Sequence, residues 1–120
     1  ERPVIRSDGT YIRDYIFVED GADANIILAE NLHRNDIKGQ AFNFSTANKV
    51  TVLELVKKIT ELFPSSLEPV ILNEAKGEIK HQYLSSEKAK RLLNWEARHT
   101  IDQGLLKTIA WYKEFLTKHG

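Results

Sequence analysis

The sequence contains neither cysteine nor methionine. Without cysteine there is no disulfide, no thiolate nucleophile and no cysteine metal site, a composition that fits a cytoplasmic location. The histidines His33, His81, His99 and His119 are scattered, with no acidic partner at ligand spacing, so no metal centre is expected. No apolar run is long enough to span a bilayer and no signal-peptide pattern is visible, which argues against a membrane partner. An excess of one charge is missing too: 17 basic residues balance 17 acidic ones, interleaved along the chain. That leaves no basic patch for a nucleic acid. The chain opens on Glu1-Arg2-Pro3-Val4-Ile5, inside what reads as a strand, as a piece of a longer protein would. At 120 residues it amounts to one domain at most, with a small core.

The most informative stretch runs from Thr10 to Asp20. The apolar run Tyr15–Val18 sits between Arg13-Asp14 and Glu19-Asp20. It is too short for a helix and rich in aromatic and β-branched residues, so a buried strand is expected. Arg13 lies at its entrance. By spacing alone Arg13 either pairs with Asp14 or caps a loop, or it offers a planar fork that grips two oxygens of a phosphate or carboxylate.

Around this stretch the chain alternates short strands and helices. Pro3–Arg6 and Thr10–Ile12 flank the turn Ser7-Asp8-Gly9 and predict a hairpin, with Arg6 at its turn end. From Glu19 to about Arg34 two apolar lines, Ala22/Ile26/Ala29 and Ala24/Leu28/Leu32, predict a helix with a broad buried face. Glu19 and Asp20 suit its positive end, and capping explains them better than acid/base chemistry. Residues 35–39 read as a loop and Gln40–Phe44 as a strand. Thr51-x-x-Glu54 is a capping box opening a helix that Pro64-Ser65-Ser66 should end. Pro69–Leu72 reads as a strand and 73–78 as a charged loop. Ser85 or Ser86 caps a helix with Ala89, Leu92 and Leu93 inside, closed by Asn94-Trp95. Thr100-x-x-Gln103 opens the last helix, with Leu105, Ile109, Tyr112 and Leu116 on its buried side and Gly104 as a local weakness. Lys118-His119-Gly120 is a frayed end.

Residues Arg13 to Asp20 resemble the Arg-Asp-aromatic…Val-x-Asp segment of the nucleotide-sugar epimerases and dehydratases, the extended short-chain dehydrogenase/reductases. The likeness continues through Ala41–Phe44, Val52–Leu62, Tyr83–Trp95 and Trp111-Tyr112. It implies an α/β (α+β) fold: the small substrate-binding part of an NAD(P)-binding Rossmann-type nucleotide-sugar enzyme, with about four helices and several short strands. Residues 1–120 would form a C-terminal nucleotide-sugar-binding region, with the Rossmann part absent.

The resemblance further implies three substrate-binding residues. Arg13 would hold the diphosphate and Arg6 would stand beside the base. Lys76 would supply a second positive charge, because Ala75 occupies the place where relatives often carry an arginine. No catalytic residue is expected here. The family's Gly-x-x-Gly-x-x-Gly turn and its Tyr-x-x-x-Lys pair are both absent, so NAD would be bound by the missing N-terminal part, and these residues alone would be inactive. In the intact family enzyme the cofactor oxidises the sugar at C4. The preferred member is a CDP-glucose 4,6-dehydratase, a lyase of carbohydrate biosynthesis. The alternatives are an NDP-sugar 4-epimerase or a stand-alone, non-catalytic binding or interaction module. The expected partners are a nucleotide sugar and a second copy of the chain in a homo-oligomer.

Overall fold

The computed structural model describes residues 1–63 and 67–119. Their elements follow in the order β1 (Val4–Ile5), β2 (Ile12–Arg13), α1 (Val18–Asn31), β3 (Val50–Thr51), α2 (Val52–Glu61), β4 (Val70–Ile71), α3 (Glu87–Leu93) and α4 (Ile101–His119). Four helices with a few short strands is the composition expected from the sequence. The expected helix stop at 64–66 and the expected end at Gly120 lie outside the described residues. The chain divides into two compact units: Glu1–Asp14 with Asn48–Tyr83, and Tyr15–Ala47 with the chain from Leu84 onward. No described helix is long and apolar enough to cross a membrane.

Among the described residues, every strand lies in the first unit. β1 runs parallel to β4, with Val4 opposite Val70 and Ile5 opposite Ile71. β2 runs antiparallel to β3, with Ile12 opposite Thr51 and Arg13 opposite Val50. The hairpin expected between the first two segments therefore does not form. The turn itself is present: Asp8 Oδ1 accepts from the Thr10 backbone at 2.8 Å, and Gly9 takes φ +85°. The backbone partners of β1 lie elsewhere, in residues 70–75, where Val70, Leu72, Asn73 and Glu74 donate to Pro3, Ile5, Ser7 and Arg6 in turn. Ile5 and Tyr11 are the buried apolar residues among those described in this unit.

The capping box that opens α2 forms as the sequence predicts. Thr51 Oγ1 accepts from the Glu54 backbone at 3.1 Å, and Glu54 Oε2 accepts from the Thr51 backbone at 2.8 Å. Two orphan donors of the helix start are satisfied reciprocally. The bond from the Thr51 backbone, and after it one from the Thr51 hydroxyl, hold the Glu54 carboxyl below its usual range.

The second unit is helical, with its core at Ala24, Ile37, Ala89, Leu93 and Trp95. Trp95, the last residue of the predicted Leu-Asn-Trp closure, is 1% exposed. Phe44 meets its ring edge-on at 5.0 Å. Asn94 ends α3 in the left-handed conformation, φ +52°, which asparagine tolerates better than most residues.

Several expectations fail in this unit. Tyr15–Phe17 form no strand, and Val18, expected inside one, is exposed and begins α1. The first helical bond runs from Gly21 N–H to the Phe17 carbonyl at 3.1 Å, and Asp20 in that first turn directs its carboxylate to the backbone of Arg98 and His99. On α1 the line Ala22/Ile26/Ala29 faces outward, and the buried positions are Asp20 and Ala24 with Ile27 and Leu28 half-buried. Gln40–Phe44 is extended but has no strand partner among the described residues; Phe42 and Phe44 alternate inward against the core. Ile37, read as a loop residue, is buried in that core. On α4 only Gly104 and Ile109 are buried, while Tyr112 and Leu116 are 53% and 60% exposed.

Gly104 is no mere weakness. A β-carbon there would stand 3.1 Å from both Cβ and Cδ2 of Phe17, so the absent side chain makes room for that aromatic ring. Alanine is the better helix former by about 1 kcal/mol, but overpacking typically costs about 1–3 kcal/mol. Gly104→Ala should therefore lower stability by about 1 kcal/mol in denaturant titration, and pairing it with Phe17→Leu should restore most of the loss. A more stable Gly104→Ala protein would show that Phe17 does not need the space.

Candidate functional site

Arg13 occupies the second position of β2, where it is held on one side of its guanidinium. Nη1 donates to the carbonyls of Ile12 at 2.9 Å and Ile79 at 2.8 Å. Nη2 reaches Glu78 Oε2 at 3.4 Å. Among the described residues nothing accepts from Nε. Tyr11 lies two residues before Arg13, so both side chains emerge on the same face of the extended chain. The Arg13 guanidinium stands 5.6 Å from the centre of the Tyr11 ring, in cation–π range. Tyr11 is itself buried and donates its hydroxyl to the Ala75 carbonyl at 3.4 Å. Of the two local alternatives read from spacing, the ion pair that forms is with Glu78, across 65 residues of sequence, rather than with Asp14.

Residues 73–80 form the loop on which the other candidates converge. Its first part is pinned to Arg6, whose carbonyl accepts from Glu74 at 2.7 Å and Ala75 at 3.1 Å. Its last part is pinned to β2 by Arg13 Nη1 and by the Ile12 N–H, which donates to Lys80 at 2.8 Å. Lys76 projects from the middle. The Arg6 and Lys76 side chains are exposed, and neither has a hydrogen bond or ion pair among the described residues. The structure thus attaches Arg6, Arg13 and Lys76 to one loop.

Sequence reasoning missed Tyr11 and Glu78. The i, i+2 spacing of Tyr11 and Arg13 was available as a signal. No local spacing could have paired Glu78 with Arg13.

A separate polar cluster sits in the helical unit. Asp20, 2% exposed, accepts from the backbone of Arg98 at 3.1 Å and of His99 at 3.2 Å. The His99 ring places Nδ1 2.9 Å from Asp20 Oδ1 and Nε2 3.0 Å from Lys107 Nζ. Lys107 also bonds Glu19 Oε2 at 2.6 Å, and Phe17 packs edge-on to the imidazole at 4.8 Å. Every donor near Asp20 is directed at holding the chain, which assigns the carboxylate a structural task rather than acid/base work.

The described glycines do not fit a dinucleotide. Gly9, Gly39 and Gly77 adopt positive φ singly, in separate turns, and Gly21 lies inside α1. Among the described residues no three His, Asp or Glu side chains converge as a metal would require.

The chain is similar to part of several sugar-nucleotide enzymes. No family model matches it. A UDP-glucose 4-epimerase of Cyamopsis tetragonoloba is 36% identical over 97 residues, which is 81% of this chain and 28% of that protein. The solved UDP-glucose 4-epimerase of Thermotoga maritima with UDP-glucose superposes with a TM-score of 0.84 at 30% identity, over 97% of this chain and 36% of that one. The chain matches a segment of the nucleotide-sugar epimerases and dehydratases. The dTDP-glucose 4,6-dehydratase of Bacillus anthracis in complex with NAD extends the likeness to the dehydratases, with a TM-score of 0.74 at 26% identity, covering 95% of this chain and 35% of that one. The chain therefore spans about a third of the length of its epimerase and dehydratase relatives. Their activities favour the 4-epimerase expectation over the CDP-glucose 4,6-dehydratase one.

The Asp20 cluster yields a prediction of its own. Burial pushes the Asp20 carboxyl up, but bonds from the His99 ring and from the backbone of Arg98 and His99 outweigh it and hold the group below its ordinary value. A depressed carboxyl stabilises the fold fully above the unfolded pKa, about 3.9, and loses that contribution as pH falls through the lower folded value. Hydrogen bonds to a charged acceptor contribute about 1.5–3 kcal/mol. Asp20→Asn should therefore unfold at lower denaturant at pH 7, with the gap to the native protein closing towards pH 2. A gap independent of pH would contradict the charged-acceptor account.

Proposed function

We propose that residues 1–120 are the substrate-side, C-terminal part of an NAD-dependent UDP-sugar 4-epimerase, and that this part grips the nucleotide diphosphate. The observation that carries the proposal is the Arg13 guanidinium, anchored through Nη1 by the Ile12 and Ile79 carbonyls. That anchoring fixes the plane of the group; on its other edge Nη2 meets Glu78 Oε2 at 3.4 Å and Nε has no acceptor among the described residues, and it is this edge that would address an anion. An arginine edge matches two phosphate oxygens in parallel, which a lysine cannot do. Arg6 and Lys76, attached to the same loop with exposed side chains, would serve the base and the second phosphate. Likeness to the UDP-glucose epimerases supports the uracil nucleotide. A 4,6-dehydratase is the second reading, supported by the likeness to the Bacillus anthracis enzyme.

The contribution of these residues is positioning. A diphosphate held at a fixed plane sets where the attached sugar can lie, and orientation of this kind supplies a large share of many rate enhancements. NAD supplies the redox chemistry when bound, and in the proposed enzyme it is held outside these residues.

The proposal includes self-association. Trp111, Tyr112, Phe115 and Leu116 leave much of the second half of α4 apolar and exposed. Exposed apolar patches of this kind mark contact surfaces. Light scattering should report a species larger than the 13.8 kDa chain, and a clean monomer across a wide concentration range would remove this element.

The central test is Arg13→Lys. Loss of one charged hydrogen bond of two should weaken UDP or UDP-glucose binding by roughly tenfold to a hundredfold, measured calorimetrically, and Arg13→Ala should weaken it further. If Arg13 serves only to tie β2 to Ile79, the melting temperature should fall while nucleotide affinity stays unchanged. Unchanged affinity in a folded Arg13→Lys protein would remove the diphosphate role.

A further inference from the structure

The His99 ring is held at both nitrogens, and the two holders fix its protonation. Nδ1 lies 2.9 Å from Asp20 Oδ1. The Asp20 carboxyl, below its ordinary value despite its burial, is ionised at neutral pH and can only accept, so Nδ1 carries a proton. Nε2 lies 3.0 Å from Lys107 Nζ. An ammonium has three donors and no acceptor, so Nε2 meets it with a lone pair. Only one form of the ring satisfies both contacts: neutral, with its proton on Nδ1.

The charges around the ring come from three segments. α1 brings Asp20 and also Glu19, whose Oε2 stands 3.5 Å from Nε2. α4 brings Lys107, which donates to that same Glu19 oxygen at 2.6 Å. Arg98, the chain neighbour of His99, pairs with Asp23 of α1 at 3.3 Å. Phe17 packs edge-on against the imidazole. The His99 side chain is only 17% exposed, whereas those of Lys107 and Glu19 reach water. A second proton on Nε2 would remove the lone pair and set an imidazolium 3.0 Å from an ammonium. Coulomb repulsion at that distance displaces the cation that can move into water, which is Lys107. The new Nε2–H then has Glu19 Oε2 as its acceptor, and Asp20 keeps Nδ1.

We infer that His99 is a proton-operated clasp between α1 and α4: the neutral ring joins Asp20 on α1 to Lys107 on α4, and the doubly protonated ring releases Lys107 and turns to Glu19, so that both its bonds end on α1. Glu19 is then shared between the ring and Lys107, which weakens the remaining link. Falling pH therefore loosens α4 from the start of α1, while the Asp20 bonds to the backbone ahead of α4 persist. Glu19 and Lys107 both line the groove that runs from Phe17 to Trp111 and Tyr112, so the exchange of partners alters the wall of that groove. The inference is independent of the Arg13 site and of any ligand.

The test is nitrogen-15 NMR of the histidine side chains in the whole chain, followed from pH 8 downward. His33, His81 and His119 are exposed, so replacing each with glutamine in turn assigns their signals and leaves that of His99. At pH 8 His99 should show a protonated Nδ1 and a bare Nε2. Lys107→Met should move that Nε2 signal at pH 8, and Glu19→Gln should move the Nε2 signal of the doubly protonated ring. Both substitutions fall on side chains that reach water, and melting curves verify folding. In denaturant titrations Lys107→Met should raise the unfolding constant about two- to fivefold at pH 8, the range of an exposed ion pair, and by less once the ring carries its second proton. A proton on Nε2 at pH 8, as the other tautomer or as the imidazolium, overturns the inference. So does a ring that stays neutral until the chain unfolds, or a Lys107→Met cost that is the same before and after protonation.

Discussion

The first unit depends on where the backbone donors of residues 70–82 go. Val70, Leu72, Asn73, Glu74 and Ala75 donate to the chain around β1, while Gln82 donates to Ile12 and Lys80 accepts from it. One segment thus serves both β1 and β2, which is why those strands do not pair with each other. An unpaired buried backbone group is expensive, so a segment that satisfies two strands sets the local topology more firmly than the turn joining them. Every candidate binding residue is tied to that segment. Arg6 accepts from it, Arg13 donates to it, and Lys76 and Glu78 belong to it.

In the helical unit a single buried carboxylate has a comparable place. Asp20 gathers two backbone donors and an imidazole from the chain just ahead of α4, and Lys107 and Glu19 close the circle at the surface. The residue that looked like a helix-dipole acid is a long-range tie. Its charge is useful because it accepts several bonds at once, which an amide of the same size does less strongly.

What could be read from the sequence was mainly local. The capping boxes at Thr51 and Thr100, the Asn94-Trp95 closure and the helices that follow from them depend on residues three or four apart, and they form. The misreadings involve distance. The apolar run at Tyr15–Val18 satisfies a strand pattern, yet α1 begins at Val18, and Asp20 in its first turn is held by partners 78 and 79 residues away. On α4 the pattern of Tyr112 and Leu116 is apolar at helical spacing, but periodicity states which side is apolar and not what covers it. For the candidate site, Arg13 is named by resemblance alone. Its tether to Ile79 and its pairing with Glu78 were not legible, since neither leaves a trace in spacing.

The strand ladders of the first unit are each two residues long. Such ladders contribute few hydrogen bonds individually and have little interior to protect. Residues 70–82 nonetheless bridge both, so opening one end of the segment removes support from the other. Amide exchange across β1, β2 and the 73–80 loop is then governed by one shared opening event rather than by separate frayings. The groups proposed to meet the ligand therefore become ordered, and lose order, together, and any ligand that holds the loop slows exchange throughout that set.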